Sequence, residues 1–183
     1  MSTHVVVDLI YDFIDGSLAC KNAIEAIEQA IENINNNPTQ KVLYICDNHP
    51  ANHCSFVENG GIWPAHCVQE TRGALIHEDF YTKVENVENR PNTKNTFYKG
   101  RDASLEEYSG FNAISAGGVK LKDACSKEVV VSGVATEYCV KETVLALNNS
   151  DFNVTLLKDA LSYVDYNGHL ETLKELSTIV TVK

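Results

Sequence analysis

Apolar and polar positions fall into blocks whose period changes along the chain, and the blocks spell out an alternation of strands and helices. His4-Val-Val-Val-Asp-Leu is a continuous, β-branched run, the pattern of a strand covered on both faces. After a turn at Asp15-Gly16-Ser17, the period becomes helical from Asn22 to Ile34. Ile24, Ile27, Ile31 and Ile34 make one stripe, and Glu25, Glu28 and Glu32 lie on another face. Asn22 is placed to cap this helix, and Asn35-Asn36-Asn37-Pro38 ends it. Lys41 to Cys46 is a second apolar strand, so the opening reads as a βαβ unit with parallel strands.

Further on, Asn95–Tyr98, Glu128–Ser132, Asn153–Leu157 and Thr178–Val182 read as strands. Leu105–Ala113 and Val119–Cys125 suggest short helical turns, whereas Ala74–Arg90 has no clean period. A helix capped by Thr136 runs to about Asn149, and a last one spans His169–Leu176 with Leu170, Leu173 and Leu176 inward. The whole is an α/β fold in three layers: a mostly parallel, six-stranded sheet with helices on both faces. At 183 residues it is expected to form a single domain over 1–183.

One stretch breaks the alternation. Asp47–Thr71 has neither period, yet holds three of the six histidines, two of the six cysteines and the only tryptophan. A loop this long with apolar anchors reads as ordered and ligand-holding. Asp47 and His49, two apart in extended chain, face one side, and His66 returns after Trp63-Pro64. One carboxylate and two imidazoles suit one divalent ion, zinc first, with iron or manganese as alternatives; His53 is a further ligand, an outer donor or a substrate contact.

Composition narrows the partners. A formal net charge of −10 argues against nucleic acid. No segment has the apolar length of a membrane span, and no basic stretch precedes a signal-length apolar run, so no membrane partner is expected. Irregularly spaced cysteines point to free thiols in a reducing, cytoplasmic compartment. Assembly into a homo-oligomer is left open.

In a parallel sheet, ligands bind beyond the carboxyl ends of the strands. Asp8, Asp47, Lys99 and Cys139 all follow strand runs on that edge. Cys139, in the first turn after Thr136, meets the positive end of a helix, which lowers a thiol's pKa and offers N–H groups to an oxyanion. Spacing alone leaves a buried, inert thiol equally open. Asp8 could take the thiol proton, and Lys99 could hold Asp8 ionised. Phe13 and Trp63 offer flat faces to an aromatic ring, and Tyr108 a further wall, although core packing explains any one of them.

These motifs together resemble the nicotinamidases, or pyrazinamidases, of the isochorismatase-like cysteine hydrolases. The shared segments are Asp8 with Asp12-Phe13, Asp47-Asn-His49-Pro-Ala-Asn-His53-Cys-Ser-Phe56, and Gly60-Gly61-Ile-Trp63-Pro-Ala-His66-Cys-Val-Gln-Glu-Thr71. They continue through Lys99-Gly100, Tyr108-Ser-Gly-Phe111 and Gly133-Val-Ala-Thr-Glu-Tyr-Cys139-Val. The resemblance implies a catalytic trio of Asp8, Lys99 and Cys139, and metal ligands Asp47, His49 and His66. It also implies a cis Val134–Ala135 peptide, an oxyanion hole from the Ala135 and Cys139 amides, and substrate contacts at Phe13, Trp63, Tyr108, Val134 and Ala135. The implied reaction is hydrolysis of nicotinamide, and of pyrazinamide, within NAD salvage. The rivals are an amidase of the same superfamily acting on an N-carbamoyl or ureido substrate, a metal hydrolase without a covalent intermediate, and a non-catalytic binding protein on this scaffold.

Overall fold

The structure is a computed structural model that describes residues 2–183. The strands are β1 (Ser2–Val7), β2 (Lys41–Asp47), β3 (Thr96–Lys99), β4 (Ile114–Ser115), β5 (Glu128–Gly133), β6 (Asn153–Leu161) and β7 (Thr181–Val182). They form one sheet in the order β4-β3-β2-β1-β5-β6-β7, parallel throughout except for β4, which is antiparallel to β3. The helices are α1 (Ala23–Asn36), α2 (Asp79–Thr82), α3 (Leu121–Ala124), α4 (Lys141–Asn148) and α5 (Tyr166–Leu176).

Side chains alternate across the sheet, so each strand feeds two cores. Val6, Val42, Tyr44 and Cys46 pack with Ala26, Ile27, Ala30, Ile31 and Ile34 of α1 and with Phe80 and Val84. Val5, Val7, Leu43, Ile45, Phe97, Val129 and Val131 pack on the opposite face with Leu121, Val144, Leu147 and Leu176. Each fully buried Val, Leu or Ile contributes roughly 1.5–3 kcal/mol relative to exposure. The strand-like apolar runs are therefore continuous because both faces are covered, as the sequence suggested.

Several local expectations are corrected. The sheet has seven strands, because the two-residue β4 adds an antiparallel edge too short to leave a periodic signal. Ile24 is 47% exposed on the flank of the α1 stripe, where Ala23, Ala26 and Ala30 instead let the helix sit close to the sheet. Asn22 adopts φ 64° and its amide donates to the Leu161 carbonyl rather than capping the helix. Leu105–Ala113 contains no helical turn, whereas Val119–Cys125 contains α3. β6 extends to Leu161 through an irregular register against β5. α5 begins earlier than expected, capped by Asp165, whose Oδ2 accepts the Gly168 N–H at 2.8 Å. It buries His169, Thr172 and Leu176 while Leu170 is 46% exposed. The aperiodic Ala74–Arg90 segment holds α2 and a 3-10 turn at Val87–Asn89.

All six cysteines are free, and no helix among the described residues is long and apolar enough to cross a membrane. The chain steps outward from β1 through β2 and β3 to β4, then restarts at β5 on the other side of β1 and steps outward to β7. The β1/β5 boundary is thus the topological switch point, where a crevice opens at the carboxyl ends. Gly133 closes β5 at φ 129°, and a Cβ there would lie 2.0 Å from the Val7 carbonyl oxygen, so only glycine allows the two strand ends to approach this closely.

His4, fully buried in β1, shares a 2.8 Å hydrogen bond between Nε2 and Ser132 Oγ, and its Nδ1 has no partner among the described residues. Burial pushes its pKa from 6.5 down to about 3. Between those values the unfolded chain binds the extra proton, so the stability associated with neutral His4 is complete above the unfolded pKa and is lost as pH falls through the window. Chemical denaturation should show His4→Gln with a flatter pH dependence than wild type, by about 2 kcal/mol between about pH 7 and pH 5. Parallel wild-type and variant profiles would refute the assignment.

Candidate active site

Asp8 leaves β1 with φ 50°, a left-handed conformation that aspartate tolerates better than bulkier residues. The turn carries its carboxylate sideways across the sheet edge, where Oδ1 accepts the Asp47 N–H at 2.9 Å. Lys99, at the end of β3, places its ammonium 3.0 Å from Asp8 Oδ2, in contact with Asp47 Oδ1, and 3.4 Å from Cys139 Sγ. All four residues are buried. Donor atoms of Asp8, Asp47 and Cys139 lie within 4.8 Å of one another. The strand-end residues singled out in the sequence therefore converge on a single ammonium group.

Burial pushes the Asp8 carboxyl up to about 6, against the pull of Lys99 and with a further push from Asp47. Burial also works against ionised Asp47, but Lys99 and His49 outweigh it and hold that carboxyl well below the usual range. Lys99 is held firmly protonated: burial opposes its charge, and the two carboxylates override that opposition. Burial raises the Cys139 thiol well above its ordinary value despite Lys99.

This corrects the expectation of a thiolate made by a helix terminus. Thr136–Val140 is a single π-helical turn ahead of α4, not a regular first α-turn. Thr136 does not cap it. Its backbone N–H and its hydroxyl both donate to the Ser162 carbonyl, at 3.0 and 3.1 Å. Burial thus favours the thiol over the thiolate at Cys139, and the Asp8 carboxyl, pushed up to about 6, lies beside it, an arrangement suited to proton transfer during attack. The Val134–Ala135 peptide is cis, and no described residue accepts a hydrogen bond from the Ala135 amide.

The aperiodic loop wraps around Asp47. His49 Nδ1 bonds the Gly100 carbonyl at 2.8 Å, and His66 Nδ1 bonds the Pro64 carbonyl at 2.7 Å. Each bond fixes a ring and leaves Nε2 as the donor, the outer-shell pattern of metal-ligating histidines. His49 Nε2 stands 3.4 Å from Asp47 Oδ2. Burial lowers the pKa of His66 and His53, favouring the neutral imidazole a metal requires, whereas Asp47 outweighs burial at His49 and raises it. The His53 ring lies 4.1 Å from that of His49, its Nδ1 is 2.7 Å from Ser55 Oγ, and its buried Nε2 makes no hydrogen bond. This nitrogen- and oxygen-rich donor set, one carboxylate and imidazoles with an orphaned ring nitrogen, fits a divalent ion. Donor atoms of Asp47, His66 and Cys67 also lie within 4.8 Å of one another. Cys67 carries no periodic or spacing signal beyond its place next to His66.

A small cavity opens above Cys139, lined by Phe13, Leu18, Cys20, Asp47, Trp63, His66, Glu106, Tyr108, Ala135, Tyr138 and Val164 as well as the thiol itself. Phe13, Trp63, Tyr108 and Ala135 from the sequence reading all line it. Val134 does not: it is fully buried in the core. Trp63 Nε1 donates to Tyr108 Oη at 3.1 Å, and Tyr138 packs edge-on against Trp63 at 5.1 Å. Leu18, Cys20, Glu106, Tyr138 and Val164 were missed. Tyr138 lies inside the Gly133–Val140 motif and Glu106 two positions before Tyr108; the others had no sequence signal. Asp12 supports the loop from behind, accepting the Cys67 N–H at 2.7 Å and the Ser17 N–H at 3.2 Å.

Residues 2–182 match the isochorismatase domain family. The chain is 29% identical to the nicotinamidase of Escherichia coli over 178 residues, 85% of this chain and 80% of that one. It superposes on the pyrazinamidase of Pyrococcus horikoshii in complex with zinc with a TM-score of 0.83, at 31% identity and covering 99% and 97% of the two chains. It also superposes on the yeast nicotinamidase bound to the inhibitor nicotinaldehyde, with a TM-score of 0.82, 25% identity and coverage of 100% and 99%.

Gly100 (φ 66°) tests the imidazole geometry, because a Cβ there would lie 2.3 Å from His49 Cε1. Gly118 (φ 78°) has open space around the same position and serves as the control. Both alanine variants should lose about 1–2 kcal/mol from the left-handed backbone. Only Gly100→Ala should lose zinc affinity, by about 10- to 100-fold in calorimetry. Equal zinc binding by the two variants would remove His49 from the ligand set.

Proposed function

Because the chain belongs to the isochorismatase domain family, we propose that it is a metal-dependent nicotinamidase that hydrolyses nicotinamide to nicotinate and ammonia through a thioester on Cys139. The amidohydrolase class follows from that family and its nicotinamidase relatives. The observation that carries the finer reading is the contact of Lys99 with both Asp8 and Cys139, whose thiol lines an aromatic-walled cavity.

Asp8 takes the thiol proton as sulfur attacks the carboxamide carbon, so charge never rests on an unsolvated thiolate. Lys99 stays protonated and stabilises the negative charge passing between sulfur and carboxylate. The Ala135 and Cys139 amides receive the oxyanion. Asp8 returns its proton to the departing nitrogen, ammonia leaves and the acyl group remains on sulfur. Asp8 then draws a proton from water as it attacks the thioester, releasing nicotinate and restoring the thiol. Phe13 and Trp63 hold the ring by stacking and exclude water from its faces. A divalent ion bound by Asp47, His49 and His66 would supply a Lewis-acid contact for the ring nitrogen. Pyrazinamide, with a nitrogen at the same ring position, fits the same reading; the reaction would serve NAD salvage, and the free cysteines support a cytoplasmic setting.

Ammonia release from nicotinamide tests this directly. Wild type should turn over, lose activity on chelation and regain it with added zinc. Cys139→Ala should fall to background, and Asp8→Asn should fall by about 10²- to 10⁴-fold with the fold intact by circular dichroism. Normal turnover by Cys139→Ala would exclude the thioester route. Turnover of N-carbamoyl substrates in place of nicotinamide would shift the assignment to the ureido amidases.

A further inference from the structure

Amide hydrolysis converts a neutral carboxamide and water into a carboxylate anion and ammonium, so the proposed site must accept one charge class and release another. Among the described residues lining the cavity, Asp47 and Glu106 bear carboxylates and none is lysine or arginine. Asp47 is compensated by Lys99 and His49. Glu106 forms no ion pair with a described residue and is exposed on the cavity wall. The groove that adjoins it is lined by Glu107 and Glu142 together with Tyr108, Ser109 and Asn112. Glu107 is fixed there, its Oε2 accepting the Gly100 N–H at 3.0 Å. The cavity wall and its approach therefore present carboxylates with no cation in contact to whatever enters.

We infer that Glu106 is a specificity-determining residue that discriminates by charge, favouring neutral ring carboxamides over ring carboxylates and speeding loss of the anionic product. The inference rests on the amidase reading and adds to it the charge class that the pocket selects. Like charges repel through the cavity opening, and because Glu106 is exposed the effect is screened by salt.

The test uses the zinc-loaded enzyme at mildly alkaline pH, with Ki for nicotinate and KM for nicotinamide measured on wild type and Glu106→Gln. The ratio Ki/KM should fall by about fivefold in Glu106→Gln, further in Glu106→Lys, and the difference should shrink at high salt. A merely structural role moves both constants together; an unchanged or increased ratio overturns the inference. If either variant turns over too slowly for kinetics, calorimetric titration of both ligands into Cys139→Ala, with and without Glu106→Gln, reads the same preference. Wild type that releases no ammonia would instead sink the amidase reading, so the two failures are distinguishable.

Discussion

Two buried carboxylates share one buried ammonium, and the rest of the site is arranged around that imbalance. Lys99 sits between Asp8 and Asp47 with no exposure at its charged end. Desolvating these groups is tolerable only because each has an opposite charge within contact distance, and removing the lysine would strand two anions at a cost of about 3–5 kcal/mol or more. One ammonium cannot neutralise two carboxylates. The shortfall has two outlets in the structure: Asp8, whose proton affinity burial raises to near neutrality, and the far oxygen of Asp47, which faces His49. A proton on the first and a cation at the second both repair the balance. The proposed acid–base residue and the proposed metal ligand are thus two answers to one electrostatic constraint.

Topology makes the arrangement achievable. β1, β2, β3 and β5 are neighbours and parallel around the switch point, so their carboxyl ends deliver Asp8, Asp47, Lys99 and the turn carrying Cys139 to one edge. The cores on the two faces clamp these strands, so the charged ends project from rigid elements rather than from loops. The π turn then differs from an ordinary helix start in a useful way. It sets Cys139 deep beside Lys99 while Thr136 is tied to Ser162 and His169, which bonds Thr136 Oγ1 through Nδ1 at 2.9 Å. Glu137 adds a second brace, accepting the Asp165 N–H at 2.7 Å. α5 and its leading loop therefore hold the turn from behind.

What could be read from the sequence follows from which forces leave a local trace. Buried parallel strands leave continuous apolar runs, so β1, β2 and β5 were visible, and the ends of β1, β2 and the shorter β3 pointed to Asp8, Asp47 and Lys99. The π turn at Cys139 leaves no trace, because its period differs from an α-helix over only a few residues, and the thiol's raised proton affinity is a consequence of depth rather than of neighbours in sequence. β4 is too short for a period. In α1, alanine reads as neutral in a hydrophobic stripe, yet Ala23, Ala26 and Ala30 set the approach to the sheet, and that displaced Ile24 from its expected place. Cys20, Leu18 and Val164 reach the cavity only because the segments after β1 and β6 fold over it, a long-range fact with no local signature.

Charge shows the same division between local and collective effects. The net charge of −10 bears on nucleic acid as a total, but at the cavity its distribution matters more. Deep in the site, each carboxylate touches Lys99, and Asp47 also faces the His49 ring; at the wall, Glu106 has no cation in contact. An amidase of this kind has a specific use for that gradient. Tight compensation below keeps the reacting groups in defined protonation states, because any unpaired charge there would draw in water or a proton. Loose negative charge above costs little stability, since it is solvated, yet it falls on the product rather than on the substrate. The thermodynamic burden of burying charge and the kinetic need to release an anion are thereby carried by different residues in one pocket.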